Sequence, residues 1–245
     1  MNVPREDGQN LNRNEIASAP KAGENSIHEL MYIYNRMFEY FGSRSWWPGE
    51  TIFEICVGAI LTQSVSWKNV MKAIENLKRA GFLELESMYN ASDEAIEQCI
   101  IPTMYYRMKT KKLKAFVGHI MQKYNGNLTK MFNKDMDSLR IELLGIYGIG
   151  PETADSIILY AAEKPAFVVD AYTRRIFSRL GIFSEDVTYD EMQDYFMKRL
   201  SPDVPLYNEY HALVTGIGNR FCSNKRPKCK ECPLRERCFY PQGRE

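Results

Sequence analysis

Four cysteines stand within the last 24 residues, Cys222, Cys229, Cys232 and Cys238, in the spacing C-x6-C-x2-C-x5-C. So short and polar a segment offers no hydrophobic core to receive them, and the chemistry their spacing serves is metal ligation. Thiolates select soft centres, zinc or an iron-sulfur cluster. A zinc ribbon usually grips its ion through two C-x2-C knuckles, and only Cys229 and Cys232 are so spaced; this favours a cluster, in which each iron takes one sulfur from a looped segment. Paired disulfides are a weaker alternative, because no secretory pattern opens the chain and a reducing cytosol is expected around these thiols. The same segment is basic. From Arg220 onward eight basic residues, among them Lys225, Arg226 and Lys228, face three acidic ones. Metal binding would hold those charges in the fixed array that a phosphate backbone requires, whereas a solvated basic tail is the plainer alternative.

A second constellation lies upstream. The run Gly145-Ile146-Tyr147-Gly148-Ile149-Gly150-Pro151-Glu152-Thr153-Ala154 places a glycine-rich turn between two apolar-periodic segments. Gly148 and Gly150 can take backbone angles closed to other residues and let main-chain N–H groups approach an anion. Pro151 suits the first turn of a helix, whose N-terminal partial charge adds to the attraction. Such a cradle contacts phosphate without reading sequence; an ordinary helix-helix turn is the alternative. Further on, Phe167-Val168-Val169 forms an apolar, strand-like run that ends in Asp170, just before a helical stretch from Ala171. A carboxylate there is either a helix N-cap or a group aimed at a substrate.

The elements that position these groups are helical. Leu30, Ile33, Met37 and Tyr40 recur at intervals of three and four, which predicts a helix over 26–41. Ile52 to Ile60 and Val70 to Leu77 repeat the rhythm around a polar break at Gln63–Ser66, a helical hairpin. Further helices are expected over 92–99, 106–123, 136–144, 151–162, 171–179, 188–199 and 204–218. No alternating run competes, so the fold class is all-α. Residues 1–25 are poor in large apolar groups and are expected to form a mobile leader. With 245 residues, 44% hydrophobic content and a net charge of +1, the composition is that of a globular protein and names no polyanionic partner by itself. Val57–Leu61 and Ile157–Ala162, the longest apolar stretches, fall far short of the roughly 20 residues of a bilayer helix, so no membrane partner is expected.

The glycine hairpin, the Val168-Val169-Asp170-Ala171-Tyr172-Thr173-Arg174-Arg175 motif and the cysteine spacing occur in the order found in the helix-hairpin-helix DNA glycosylases that include endonuclease III, and the chain resembles that superfamily over nearly everything after residue 25. The resemblance implies two helical domains flanking a cleft: a six-helix barrel, here 46–160, and a cluster-bearing domain joining 26–45 to 161–245. It makes Asp170 the catalytic carboxylate and the four cysteines ligands of one four-iron four-sulfur cluster. Gly148, Ile149, Gly150 and Thr153, with the basic loop, become contacts to double-stranded damaged DNA, and the protein a cytoplasmic, nucleoid-associated prokaryotic monomer. A carboxylate facing deoxyribose would stabilise the positive charge that develops as the base departs. Base extrusion leaves a gap that a side chain must fill, and Gln63 stands where this family commonly places such a wedge; a solvated loop glutamine is the alternative.

Departures from the pattern set the expected reaction. Bifunctional members similar to endonuclease III carry a lysine two positions after the hairpin glycines, and this chain has Glu152 there. A carboxylate forms no imine, so hydrolytic, monofunctional base release is expected, or else another amine supplies lyase activity on oxidised pyrimidines. A DNA-binding iron-sulfur protein without catalysis is a further alternative, against which Asp170 argues. The adenine-mismatch branch is a poor match: Gly58 lies near the place of its helix glutamate, and the further C-terminal domain of that branch is not expected. Trp46, Trp47 and Phe53 are similar in placement to the aromatic pocket of the 3-methyladenine glycosylases. A cationic alkylated purine would be held there by cation-π attraction, about 0.5–2 kcal/mol per contact; hydrophobic anchoring is the alternative for both tryptophans. Tyr105–Lys109 is read as a loop-to-helix corner with Arg107 and Lys109 on phosphate or water, and His28, His119 and His211 as structural or exposed.

Overall fold

The computed structural model describes residues 26–44, 49–184 and 186–240. The expected leader and both Trp46 and Trp47 lie outside them. Among the described residues the chain forms twelve α-helices and no strand: α1 (Ser26–Phe41), α2 (Ile52–Leu61), α3 (Trp67–Arg79), α4 (Leu85–Asn90), α5 (Asp93–Ile100), α6 (Tyr106–Tyr124), α7 (Leu128–Phe132), α8 (Met136–Leu144), α9 (Pro151–Tyr160), α10 (Ala171–Arg179), α11 (Tyr189–Met197) and α12 (Val204–Arg220). Short polar side chains start many of them. Thr51, Ser92, Asn127, Asp135, Asp170, Thr188 and Asp203 each accept a backbone N–H from the first turn of the following helix. The two short helices α4 and α7 escaped the periodicity reading because one or two turns show no repeat.

Apolar side chains gather into two cores. One is built from α2 to α9 and centres on residues such as Ile60, Ile74, Phe116 and Ile157. The other joins α1 to α10, α11 and α12 through Leu30, Phe177, Phe196, Tyr210 and Ile217. Helix α9 serves both: Ala154, Ile157 and Ile158 enter the first core, Leu159 and Tyr160 the second. Because full burial of one large apolar side chain contributes roughly 1.5–3 kcal/mol, a helix anchored on two sides is a rigid reference for whatever its N-terminus carries.

The strand-like run after α9 forms no strand. Phe167–Val169 crosses the second core as buried extended chain without a ladder partner; the Phe167 ring stacks on Phe196 at 4.0 Å, and its carbonyl accepts from Gln193 Nε2 at 2.8 Å. Side-chain donors replace the missing ladder, and the chain arrives at Asp170 from a fixed direction. Asp155, fully buried on α9, takes Arg140 Nε at 2.9 Å and Gln193 Nε2 at 2.8 Å, and Arg140 reaches on to Asp190. That knot ties α8, α9 and α11 together.

Candidate active site at the junction of the two cores

The hairpin leading into α9 turns on Gly148, whose φ of +81° belongs to the left-handed region, and a Cβ there would run into the Lys112 side chain at 2.2 Å. Gly150 differs from the expectation. Its φ is −95°, open to any residue, and nothing stands within 4 Å of where a Cβ would be. What its missing side chain provides is an uncovered approach to the N-terminus of α9, where Pro151 occupies the first turn. Gln63 is neither solvated nor loose: its amide donates to Gly148 O at 3.2 Å and Thr153 Oγ1 at 2.8 Å and accepts from Lys112. It fastens the α2–α3 turn to the hairpin.

Asp170 is the N-cap of α10. Its Oδ1 accepts from Thr173 N at 2.7 Å and Thr173 Oγ1 at 2.8 Å, so one oxygen is spent on the helix. The other, Oδ2, lies 3.5 Å from His211 Nε2. That separation is an electrostatic contact at the limit of hydrogen bonding, and Nε2 has no closer partner among the described residues. On the far side of the ring, Nδ1 meets Tyr160 OH at 2.5 Å. Burial pushes the Asp170 carboxyl up, but His211 and the Thr173 donors outweigh it and hold the group below the usual carboxylate range. His211 was expected to be structural or exposed. Of these two it is not exposed: it is buried against the carboxylate, a contact that no local pattern on α12 announces.

Asp170 and His211 line a cavity of about 350 Å³ bordered by residues of α2, α3, α9, α10 and α12. Glu152, Asp170, His211, Lys68, Trp67 and Tyr172 are among its walls. Tyr172 is held there by packing on Gly218, where a Cβ would stand 2.1 Å from its ring, and by donating to Asn219 Oδ1 at 2.6 Å. Glu152 is open to solvent yet stands in the concave mouth. Partial burial first, then the Asp170 charge, push its carboxyl up to about 6, with His211 opposing. Phe53 does not reach this place; it is buried in the first core. The described aromatic walls are Trp67 and Tyr172, which the sequence reading passed over because each opens a helix with no aromatic repeat around it. Lys109 also departs from expectation: its ammonium is buried, donating to Leu61 O at 2.8 Å and Thr103 O at 2.7 Å, with its pKa lowered to about 8 by burial and by Lys112. Arg107 is exposed near Glu97. The corner before α6 is strained, with Met104 at φ +56° and Tyr105 at φ +45°, and it presents the Tyr105 ring at 70% exposure.

The cysteine loop closes on itself through Lys228 N to Phe221 O, 2.8 Å. Cys222, Cys229, Cys232 and Cys238 all border one small apolar cavity of about 30 Å³ with Phe221 and Pro227, and Arg179 Nη1 donates to Cys222 Sγ at 3.1 Å. Burial, and then the neighbouring thiols, push Cys232 up to about 11. A soft metal centre would displace those protons and take four sulfurs from one shell, and the donor set fits it. Among the described residues no three such side chains converge as ligands of a single ion. Lys225, Arg226 and Lys228 are exposed on the outside of the loop.

A family model described as HhH-GPD superfamily base excision DNA repair protein matches residues 57–202, from the first core through the hairpin and Asp170. The chain belongs to this superfamily. Among relatives of the HhH-GPD chain, the protein named "Putative DNA repair glycosylase MJ1434" from Methanocaldococcus jannaschii is 45% identical over 218 residues, 88% of this chain and 98% of that one. The H. pylori 3-methyladenine DNA glycosylase MagIII, solved bound to 1,N6-ethenoadenine, is similar with a TM-score of 0.69 and 28% identity, over 80% of this chain and 98% of its own. Endonuclease III in a trapped covalent DNA intermediate has a TM-score of 0.76 at 23% identity, covering 89% of this chain and 98% of its own, a likeness of fold. Among the described residues no helix is long and apolar enough to cross a membrane.

Proposed function

We propose that this HhH-GPD protein is a monofunctional DNA glycosylase that draws a damaged base out of duplex DNA into the cavity beside Asp170 and hydrolyses its N-glycosidic bond, with alkylated purines as its substrate class. One observation carries the reading: Asp170, held below the usual carboxylate range and with one oxygen free of the helix cap, lines the cavity. A carboxylate so held stabilises the oxocarbenium character of the sugar and can orient the attacking water. The uncovered N-terminus of α9 at Gly150 and the exposed Lys225, Arg226 and Lys228 serve phosphates on either side of the extruded nucleotide. Gln63, freed from the hairpin by DNA, or the strained Tyr105 fills the vacated stack. Trp67 and Tyr172 provide the aromatic faces described in the cavity. Glu152 places negative charge where a cationic base would enter, and MagIII's bound ethenoadenine supports a modified purine.

The four cysteines hold one four-iron four-sulfur cluster in this reading. Four cysteines around one small cavity, with only Cys229 and Cys232 spaced as a C-x2-C knuckle, suit a cluster better than zinc. When bound, the cluster supplies rigidity to the basic loop. Broad visible absorbance and about four irons per chain are the expected findings, and stoichiometric zinc would overturn this assignment. We place the protein at the nucleoid as a cytoplasmic monomer, with the two cores corresponding to a barrel domain over 46–160 and a cluster-bearing domain over 26–45 plus 161–245.

A second reading has support in Lys68, an amine that borders the same cavity and could form the imine that Glu152 cannot. Borohydride trapping on single-lesion duplexes separates the two. Under the monofunctional reading, base release leaves intact abasic strands and no adduct; a covalent adduct that disappears in Lys68→Ala establishes lyase chemistry instead. A panel of 3-methyladenine, hypoxanthine, thymine glycol and mismatched uracil duplexes tests the substrate class, and release confined to oxidised pyrimidines would overturn it.

A further inference from the structure

We infer that His211, held by Tyr160, is the positioning residue of Asp170: the ring keeps one carboxylate oxygen aimed at the cavity and ionised. The catalytic consequence rests on the glycosylase reading, whereas the electrostatic one does not. Three helices converge to build the chain of contacts. Tyr160 ends α9, Asp170 caps α10 and His211 lies within α12. All three are buried or nearly so, which leaves water little part in their arrangement.

The proton inventory follows from the partners. Burial, and then the Asp170 charge, raise the Tyr160 phenol well above its ordinary value, so its proton is retained, and we assign it to the 2.5 Å contact with His211 Nδ1. With Nδ1 accepting, the ring hydrogen sits on Nε2, which faces Asp170 Oδ2 at 3.5 Å. Thr173 occupies the other oxygen. The division of labour on one carboxylate is therefore complete: Oδ1 holds the helix, and Oδ2 is steered by histidine. Other titratable groups do not compete for the ring. Glu152 faces it from α9 across the cavity mouth, Glu29 of α1 is engaged by Arg237, and Glu209 of α12 binds Ser43 Oγ and Arg44 N.

Without the imidazole, burial acts on Asp170 against Thr173 alone, and the carboxyl protonates at higher pH. The test uses the full chain labelled with carbon-13 at aspartate carboxyls, Asp170→Asn to assign the resonance, and the variants His211→Ala, His211→Gln and Tyr160→Phe. The Asp170 titration is expected to move up by about one pH unit in His211→Ala, to recover partly in His211→Gln, whose amide can donate to the same oxygen, and to move less in Tyr160→Phe. The acid limb of single-turnover base release should move with it, about tenfold in rate at its foot.

Nitrogen-15 shifts of the wild-type ring should report Nδ1 as the bare nitrogen, a measurement that needs no variant to fold. A ring protonated on Nδ1, or an Asp170 titration identical in cooperatively folded His211→Ala and wild type, overturns the inference. If instead the titration follows His211 but no duplex in the panel loses a base, the inference stands and the glycosylase reading falls.

Discussion

Helix α9 and the chain just after it carry two buried carboxylates that teach different lessons. Asp155 is fully buried and saturated: Arg140 and Gln193 occupy both oxygens, and it joins three helices. Asp170 is half committed: one oxygen caps α10, the other lies 3.5 Å from His211 Nε2, and the residue lines a cavity of about 350 Å³. Burial alone therefore does not mark a working group. A carboxylate that is buried, ionised and left with an unsaturated oxygen toward open space is placed for chemistry, whereas one whose every lone pair has a partner is placed for architecture.

Substitution separates the two most sharply. Asp170→Asn keeps an oxygen for the helix cap but removes the charge, and base release should fall by about 10²- to 10⁴-fold with the melting temperature near wild type. Equal rates would remove Asp170 from the chemistry. Asp155→Asn should do the opposite, leaving a half-buried Arg140 short of its partner; a loss of about 3–5 kcal/mol in denaturant unfolding is expected, with the rate per folded molecule nearly unchanged. Should Asp155→Asn abolish release in folded protein, the distinction between the two carboxylates fails.

Glu152 gives a subtler contrast through pH. Its folded carboxyl titrates near 6 against an ordinary 4.5, so between those values the native state holds more proton than the unfolded chain and stability falls as pH rises. Glu152→Gln should flatten that fall, measured as the urea midpoint across pH 4.5 to 6, and should remove an inflection near pH 6 from the release profile. An unchanged slope would show that the cavity mouth does not perturb it. The hairpin glycines supply the smallest effects. Gly148→Ala forces a left-handed alanine against Lys112 and should cost roughly 1–2 kcal/mol in stability. Gly150→Ala, set in open space at φ −95°, should leave stability within about 0.5 kcal/mol while weakening duplex binding, read by fluorescence anisotropy.

Much of this was legible in order and type. The apolar periodicity of the longer helices and the hairpin glycines are local signals, set by residues a few positions apart. The same locality misled at Phe167–Val169, where three apolar residues read as a strand because only the tertiary surroundings reveal that no partner lies alongside. Phe53 shows the converse: its position at the start of α2 suited a pocket wall, but the helix faces it into the first core.

From residue order alone came the all-helical class, the cysteine loop, the hairpin and Asp170 at the head of a helix, because each is written in residues close to one another along the chain. Folding alone decided that His211, 41 positions away along the chain, would steer that carboxylate, that Lys109 would be spent on buried carbonyls, and that Trp67 and Tyr172 would wall the cavity. Distance along a chain fixes which backbone bonds can form, but the meeting of side chains from α9, α10 and α12 depends on how two cores pack against a shared helix, and no short stretch encodes that angle.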